Sequence, residues 1–231
     1  IESDAPVVEA FRIVRFSLGY MRHATQVMMT TSTTPGQGKS FISRNMAASL
    51  SMAGKKVILV DADIRKGTLS RTFGHTFGLT TYLSDDQCKV DDIIRVDGLT
   101  KGVDFIPAGH QAPNPAELLM SKRLEILVSE LRKRYDYVIL DTTPLFAVAD
   151  ANVVARVTDT TLFIIRVGVQ TRSFLPTLER NYQDNRFKNM CIVLNDVDPE
   201  DPYKSNYGYG YGYGHHHTSK KGFIKRLRKR R

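Results

Sequence analysis

Short apolar runs alternate with helical segments along most of the chain, and this alternation restricts the fold more than any other feature. Val57–Val60, for example, is a continuous apolar run between polar residues, as in a strand buried on both faces. A predicted helix precedes it over residues 39–52, and another follows over Pro115–Arg134. Alternating strands and helices predict an α/β fold with a mostly parallel sheet and helices on both faces.

The predicted elements divide the chain into three parts. We expect an N-terminal helical part over 1–22, a folded domain over 23–198 and a flexible tail over 199–231. Helices are predicted at 7–22, 39–52, 78–84, 90–95, 115–134, 149–157 and 174–185. Strands are predicted at 27–31, 57–60, 103–107, 138–140, 161–165 and 191–194.

Length and composition exclude several classes of protein. The 231 residues suffice for one α/β domain with short extensions, and no stretch approaches the length of a bilayer span. Cys88 and Cys191 form no disulfide framework or metal cluster, which favours a reducing cytosol. Because the first residue is Ile, we expect a piece of a longer protein, in which a membrane span could lie upstream.

Positive charge is concentrated at the C-terminus. Residues 220–231 hold eight Lys and Arg and no acid, so without those eight the net charge of +9 falls to +1. A nearly neutral domain argues against a nucleic-acid-binding face. Phe223, Ile224 and Leu227 could form one side of a basic turn that touches anionic lipid, and a solvated charge run is the alternative.

The segment from Thr33 to Ser40 lies between a predicted strand and a predicted helix and reads TTPGQGKS. In this context backbone N–H groups cradle phosphates, Lys39 neutralises them and Ser40 can bind Mg²⁺. Thr33 replaces the usual first glycine of the pattern. The alternative is a chance Gly-Lys-Ser at the start of a helix.

Carboxylates end two further predicted strands. Asp61 and Asp63 are two residues apart, so on an extended chain they point the same way, as suits metal binding or deprotonation of a hydroxyl. A helix N-cap with its neighbour is the alternative for this pair. Asp141 ends the apolar run 137–140, where phosphate-loop NTPases keep a carboxylate near Mg²⁺. The three motifs together predict an ATP site.

The C-terminal tail carries a cluster of tyrosines. Alternating glycines keep this segment loose, and no apolar neighbours are available to build a core. Exposed phenols beside a phosphate-handling domain indicate that the tail is a substrate, and a tail without chemistry is the alternative. The predicted phosphoacceptors are Tyr203, Tyr207, Tyr209, Tyr211 and Tyr213.

These motifs resemble the bacterial tyrosine kinases that control capsule and exopolysaccharide assembly. The resemblance rests on the second aspartate loop from Asp61 to Arg65 and on residues 113–119, which are similar to the family's Pro-Asn-Pro-x-Glu-Leu-Leu segment. Two departures stand out. Thr68 occupies the position of a regulatory tyrosine in many relatives, so control by that site is not expected, and Thr143 replaces a proline while Asp141 is kept.

The resemblance implies a P-loop NTPase fold of the MinD/ParA type and a site for Mg·ATP. It implies catalytic roles for Lys39, Asp61, Asp63 and Asp141, with Asp61 as the base, although Asp61 and Asp63 could exchange roles. Mg²⁺ would bind Ser40, Asp63 and Asp141. The implied nucleotide contacts are Thr34, Pro35, Gly36, Gln37, Gly38, Lys39, Ser40, Phe41 and Arg65.

The resemblance also implies partners. Glu9, Arg12 and Arg15 are similar to the family's oligomerisation motif, which implies a ring of eight whose subunits insert their tails into neighbouring sites. Phosphorylated tails would loosen the ring by charge repulsion. Further implied partners are a membrane-anchored activator or N-terminal segment, a phosphotyrosine phosphatase and polysaccharide polymerisation and export proteins. The implied location is the cytoplasmic side of the plasma membrane, without nucleic acid.

Two other functions fit parts of the sequence. A MinD/ParA-type ATPase switch would share the fold and bind membrane or DNA, but it needs a second lysine early in the phosphate loop, where this chain has Thr34. A nucleotide-sensing scaffold would use the aromatic tail for binding alone, and the intact Lys39 and three aspartates argue against it. Transfer of phosphate to a protein would distinguish a kinase from both of these alternatives.

Overall fold

Seven strands form a single sheet in the computed structural model, which describes residues 5–20, 25–73, 77–146 and 148–197. The strands are β1 Val27–Ser32, β2 Val57–Asp61, β3 Arg95–Thr100, β4 Val103–Ile106, β5 Tyr137–Asp141, β6 Thr160–Arg166 and β7 Met190–Asn195. The helices are α1 Ala5–Gly19, α2 Lys39–Ser51, α3 Leu79–Ser84, α4 Val90–Ile93, α5 Pro115–Met120, α6 Lys122–Arg134, α7 Asp150–Val154 and α8 Leu175–Gln183. Short 3₁₀ turns lie at Ser70–Phe73, Ala155–Val157 and Arg172–Phe174.

The sheet has the strand order β3-β4-β2-β5-β1-β6-β7. All neighbouring pairs are parallel except β3 and β4, which are antiparallel. The predicted mostly parallel α/β fold is therefore confirmed. The edge strand β3 was not predicted, because its sequence, RVDGLT, lacks the apolar run of a buried strand, and none of its residues is buried in the structure.

Helices cover both faces of the sheet, as predicted. On one face, Phe11 and Leu18 of α1 and Met46 of α2 pack against strand residues such as Leu59 and Ile139. On the other face, α3 to α8 bury a larger cluster that includes Leu127 and Phe163. Because the faces are closed, the carboxyl edge of the parallel strands is the part of the sheet where loops can form a ligand site.

The prediction of one long helix over Pro115–Arg134 was wrong. The chain forms α5 and α6 in succession, separated at Ser121, whose backbone is extended (φ −62°, ψ 152°). Leu119 before this break and Leu124 after it are both fully buried. The apolar spacing continues across the break, so the sequence pattern does not reveal it.

No helix among the described residues is both long and apolar enough to cross a membrane. The predicted boundaries at 22/23 and 198/199 stay predictions, and the tail over 199–231 lies outside the described residues.

Asp159 connects the end of α6 to the start of β1. Its carboxylate accepts hydrogen bonds from Arg132 Nη1 and Nη2, at 2.8 and 2.6 Å, and from the backbone N–H groups of Gln26 and Val27, at 3.1 and 2.8 Å. Charge-assisted bonds of this kind are stronger than neutral ones. These hydrogen bonds fix the start of the central strand β1, and the phosphate loop follows the end of that strand.

We expect Asp159→Ala to lower the free energy of unfolding by about 2–3 kcal/mol, because one guanidinium and two backbone donors lose their acceptor. Asp184→Ala is the matched control, since Asp184 pairs with Arg186 at 3.5 Å on the surface. The control should change stability by less than about 0.5 kcal/mol. Urea unfolding measures both, and equal effects would contradict the assigned role of Asp159.

Candidate nucleotide-binding site

The three sequence motifs meet at one edge of the sheet. Strands β2, β5 and β1 are neighbours, and the register places Asp141 beside Asp61 on one side and beside Thr30 on the other. All three strands are parallel, so the loops that follow them leave from the same edge. The predicted convergence of the motifs is therefore present in the fold.

The phosphate loop has the backbone that its glycines allow. Gly36 and Gly38 have φ values of 80° and 93°, in the left-handed region that residues with a Cβ rarely adopt. Helix α2 begins immediately afterwards, at Lys39, so its free N–H groups lie at the end of the loop. Thr34, Pro35 and Gly36 are exposed to solvent and available to a ligand.

Gln37 supports the loop from inside. Its side chain is fully buried, donates to Thr34 Oγ1 at 3.1 Å and accepts from the Arg166 N–H at 2.6 Å. Asn195 Nδ2 donates to the Gln37 carbonyl at 3.0 Å. The Gln37 side chain and carbonyl are thus occupied within the protein, which leaves the backbone N–H for the nucleotide contact predicted for this residue.

Thr33, which replaces the usual first glycine, is accommodated without exposure. The residue is fully buried, and its hydroxyl donates to Gln170 Oε1. Sequence analysis missed Gln170, Arg166 and Asn195, because they lie more than a hundred positions away from the loop and carry no local motif. Arg166 and Asn195 are the last residues of β6 and β7, and Gln170 lies in the loop that follows β6.

The Asp141 carboxylate accepts hydrogen bonds from three hydroxyl groups. Ser40 Oγ donates to its Oδ2 at 2.6 Å, while Thr30 Oγ1 and Ser43 Oγ donate to its Oδ1 at 2.9 and 2.8 Å. Burial raises the pKa of Asp141, and the hydrogen bonds from Ser40, Ser43 and Thr30 oppose that rise. Thr30 could have been recognised as a site residue from the sequence, because it is a polar residue inside a buried strand.

Lys39 lies close to these carboxylates. Burial lowers the pKa of its ammonium group, and the negative charges of Asp141 and Asp63 oppose this change. A phosphate group beside Lys39 would add a further negative charge and favour the protonated form. The loop therefore presents a cation that a phosphate would stabilise.

Asp61 is buried completely, and its oxygens are occupied. Oδ2 accepts from the Ser70 N–H at 3.0 Å and from Ser70 Oγ at 2.6 Å, and Oδ1 accepts from the Asp63 N–H at 3.3 Å. Burial raises the pKa of Asp61 to about 7, with a contribution from Asp141, while the bonds from Ser70 oppose the rise. Ser70 Oγ also accepts from the Ala108 N–H at 2.7 Å, which orients its proton toward Asp61.

The loop after β2 also holds Asp63 and Arg65. Asp63 Oδ1 accepts from the Lys66 N–H at 3.1 Å. Arg65 donates through Nε to Asp150 Oδ2 at 2.7 Å and through Nη2 to Oδ1 at 3.1 Å, and Asp150 is fully buried at the start of α7. The guanidinium predicted to contact nucleotide is therefore paired within the chain, by a residue that no sequence motif indicated.

The remaining predicted residues lie around this centre. Phe41 is half exposed in the first turn of α2, with its ring centroid 6.1 Å from that of Phe11. On α1, Glu9 and Arg12 form an exposed ion pair at 3.1 Å, whereas Arg15 donates to the Ser49 carbonyl at 2.7 Å. The predicted phosphoacceptors lie outside the described residues: Tyr203, Tyr207, Tyr209, Tyr211 and Tyr213.

The side chains of this site suit Mg²⁺, which phosphates and waters help to bind, better than a metal that is held by protein atoms alone. In the described part of the chain, no three His, Cys, Asp or Glu side chains are grouped closely enough to hold a metal ion. Mg²⁺ typically uses one or two carboxylates, waters and substrate phosphates. The adjacent Ser40 hydroxyl and Asp141 carboxylate, next to the phosphate loop, match that requirement.

The fold and this site define a phosphate-loop NTPase. Comparison with known proteins agrees, because a family model described as an AAA domain matches residues 25–175. A Mycobacterium smegmatis cobyrinic acid a,c-diamide synthase, solved with ADP and magnesium, is 18% identical, with a TM-score of 0.64 over 79% of this chain and 78% of that one. At that identity the likeness shows the fold alone.

Closer relatives are tyrosine kinases. The kinase domain of Escherichia coli tyrosine kinase ETK is 34% identical, with a TM-score of 0.77 over 91% of this chain and 83% of that one. A Klebsiella pneumoniae relative, named as a tyrosine-protein kinase in the cps region, is 38% identical over 194 residues. The chain belongs to this family of bacterial tyrosine-protein kinases. The match covers 82% of this chain and 27% of the Klebsiella relative.

We expect Asp61→Asn to stabilise the nucleotide-free protein at pH 8 by up to about 4 kcal/mol. The folded pKa of Asp61, about 7, lies above its ordinary value of 3.8, so its ionisation costs stability as pH rises between those values. The stabilisation should therefore be small at pH 4 and reach its full size above pH 7.

Urea unfolding of both proteins across this pH range measures the effect. Asp86→Asn is the control, since the Asp86 side chain is 88% exposed. If the difference in free energy of unfolding between wild type and Asp61→Asn stays constant with pH, the raised pKa of Asp61 is contradicted.

Proposed function

We propose that this chain is an ATP-dependent protein-tyrosine kinase that phosphorylates its own C-terminal tyrosines. The observation that carries the proposal is the pair Asp61 and Asp63, buried beside the Ser40–Asp141 pair at the mouth of the phosphate loop. The Ser40–Asp141 pair fits the binding of a nucleotide with Mg²⁺. A further pair of buried carboxylates, of which Asp61 is disfavoured in its ionised form, fits an acceptor hydroxyl that must lose a proton.

In the proposed reaction the phenol oxygen of a tyrosine forms a bond to the γ-phosphorus of ATP. The bond between that phosphorus and the β–γ bridging oxygen breaks, and ADP leaves with the electron pair. The loop amides and Lys39 hold the phosphates, and Ser40, Asp63 and Asp141 would hold Mg²⁺. When bound, Mg²⁺ offsets the negative charge of the phosphates.

The phenol proton would pass to Asp61, or to Asp63 if the two exchange roles. A free phenol has a pKa of about 10, so it is neutral at pH 7 and benefits from a base. The pKa of about 7 for Asp61 is well placed for that task. Because Asp61 is buried beneath Ser70, the proposal requires the segment Gly67–Ser70 to move when the acceptor binds.

The proposed setting is capsule or exopolysaccharide assembly at the cytoplasmic side of the plasma membrane. It is supported by the cps-region relative and by the tyrosine-rich tail. In this proposal a ring of eight subunits forms through Glu9, Arg12 and Arg15, and each tail enters a neighbouring site. A membrane-anchored activator or N-terminal segment, a phosphatase and polysaccharide polymerisation and export proteins would be the partners.

Intact mass after incubation with Mg·ATP tests the proposed function. We expect stepwise additions of phosphate to the wild-type chain, and none to Lys39→Met or to a variant with the five tail tyrosines changed to Phe. Lys39→Arg is a useful second variant, because it keeps the charge of the loop. ATP hydrolysis without any gain in mass would contradict the kinase and favour the MinD/ParA-type switch.

A comparison of Ser40→Ala with Ser43→Ala tests the proposed metal site. Both hydroxyls contact Asp141, at 2.6 and 2.8 Å, but Ser43 is fully buried and Ser40 is not. We expect Ser40→Ala to lower phosphate transfer at limiting Mg²⁺ by about 100-fold and Ser43→Ala by about 10-fold or less. Equal losses that excess Mg²⁺ does not reduce would contradict a metal contact by Ser40.

A further inference from the structure

A basic cleft lies beside Asp61, between the loop after β2 and the loop after β4. It encloses about 190 Å³ and is open on one side. Its lining includes Arg65, Lys66, Gly67, Ser70, Arg71 and Ala108. Of these residues, Arg65 alone was predicted to contact a ligand, the nucleotide.

The floor of the basic cleft lies over the buried Asp61 carboxylate, which Ser70 covers. A Cβ atom added to Gly67 would lie 3.4 Å from Ala108 Cβ and 3.9 Å from Asp61 Oδ2. Gly67, Ala108 and Gly109 thus leave the floor without large side chains. A flat aromatic ring resting there would bring its hydroxyl toward Asp61 once the segment Gly67–Ser70 moves, as the proposed reaction requires.

The wall of the cleft is cationic. Arg65, Lys66 and Arg71 are exposed, and Arg65 is already paired with Asp150. Among the residues that the structure describes, no carboxylate lies within ion-pair distance of the Lys66 ammonium or the Arg71 guanidinium. Two cations are therefore left for an acidic ligand, and the two carboxylates that precede them in the chain, Asp61 and Asp63, are buried.

The chain itself contains an acceptor of matching charge. Tyr203 follows Asp198, Glu200 and Asp201, which stand five, three and two positions before it. The other four tail tyrosines have no acid within the five preceding positions. In an extended chain, acids two and three positions before a tyrosine stand about 7–10 Å from it.

We propose that the basic cleft binds acidic residues that precede an acceptor tyrosine, so that the site selects acidic acceptor peptides and Tyr203 among the tail tyrosines. This inference rests on the proposed kinase function and specifies its substrate. Each exposed pair contributes little, so the expected preference is modest, about 3- to 10-fold in kcat/KM. Screening should reduce it at high salt.

Two peptides test the inference. One has the sequence of residues 197–206, VDPEDPYKSN, and the other replaces its three acids by amides, VNPQNPYKSN. The enzyme is the full chain with its five tail tyrosines changed to Phe, which removes competition from its own tail. Phosphate incorporated into each peptide gives the ratio of the two kcat/KM values at 50 and 500 mM NaCl.

We expect a ratio of about 3 to 10 at low salt that falls toward 1 at high salt and in Arg71→Gln. Arg180→Gln, an exposed arginine on α8, is the matched control and should keep the wild-type ratio. A ratio of 1 with both peptides phosphorylated would overturn the inference and leave the kinase intact. A ratio that Arg71→Gln does not change would also overturn it. No phosphate on either peptide, alongside ATP hydrolysis, would overturn the kinase and this inference together.

Discussion

The hydrogen bonds to the buried Asp141 carboxylate are the contact on which the site depends. Thr30 of β1, Asp141 of β5 and both Ser40 and Ser43 of α2 meet there, so one side chain ties two central strands to the start of the helix after the phosphate loop. The position of Lys39 relative to the sheet follows from this arrangement. A buried carboxylate is costly unless its oxygens are satisfied, and here three hydroxyls satisfy them.

For Asp61, by contrast, the cost of burial exceeds what its hydrogen bonds recover. It lies across the β2–β5 register from Asp141, and burial together with that second negative charge disfavours its ionised form. Ser70 offsets only part of this cost. A residue that makes the resting protein less stable at neutral pH is expected where chemistry, rather than packing, sets the choice of side chain. The loop after β2 also carries Gly67 and the cations of the basic cleft, so in the proposed kinase the base and acceptor recognition would share one segment.

Sequence reasoning predicted the parallel architecture and the convergence of three motifs, because strand ends in such sheets share one edge. It could not reveal the partners that shape each motif. Gln170, Arg166 and Asn195 reach the phosphate loop from β6 and β7, and Asp150 pairs with Arg65, through contacts that only the tertiary fold creates. The break at Ser121 escaped for a different reason, since apolar spacing is the same on both sides of it.

We propose that phosphate moves from ATP bound by one chain to a tail tyrosine of another chain. To test this, a Lys39→Met chain with an intact tail is mixed with an active chain whose five tail tyrosines are Phe, and phosphate is mapped by mass spectrometry. We expect phosphotyrosine on the tail of the Lys39→Met chain, in the mixture and not in either protein alone. A mixture that hydrolyses ATP and leaves both tails unmodified would contradict it.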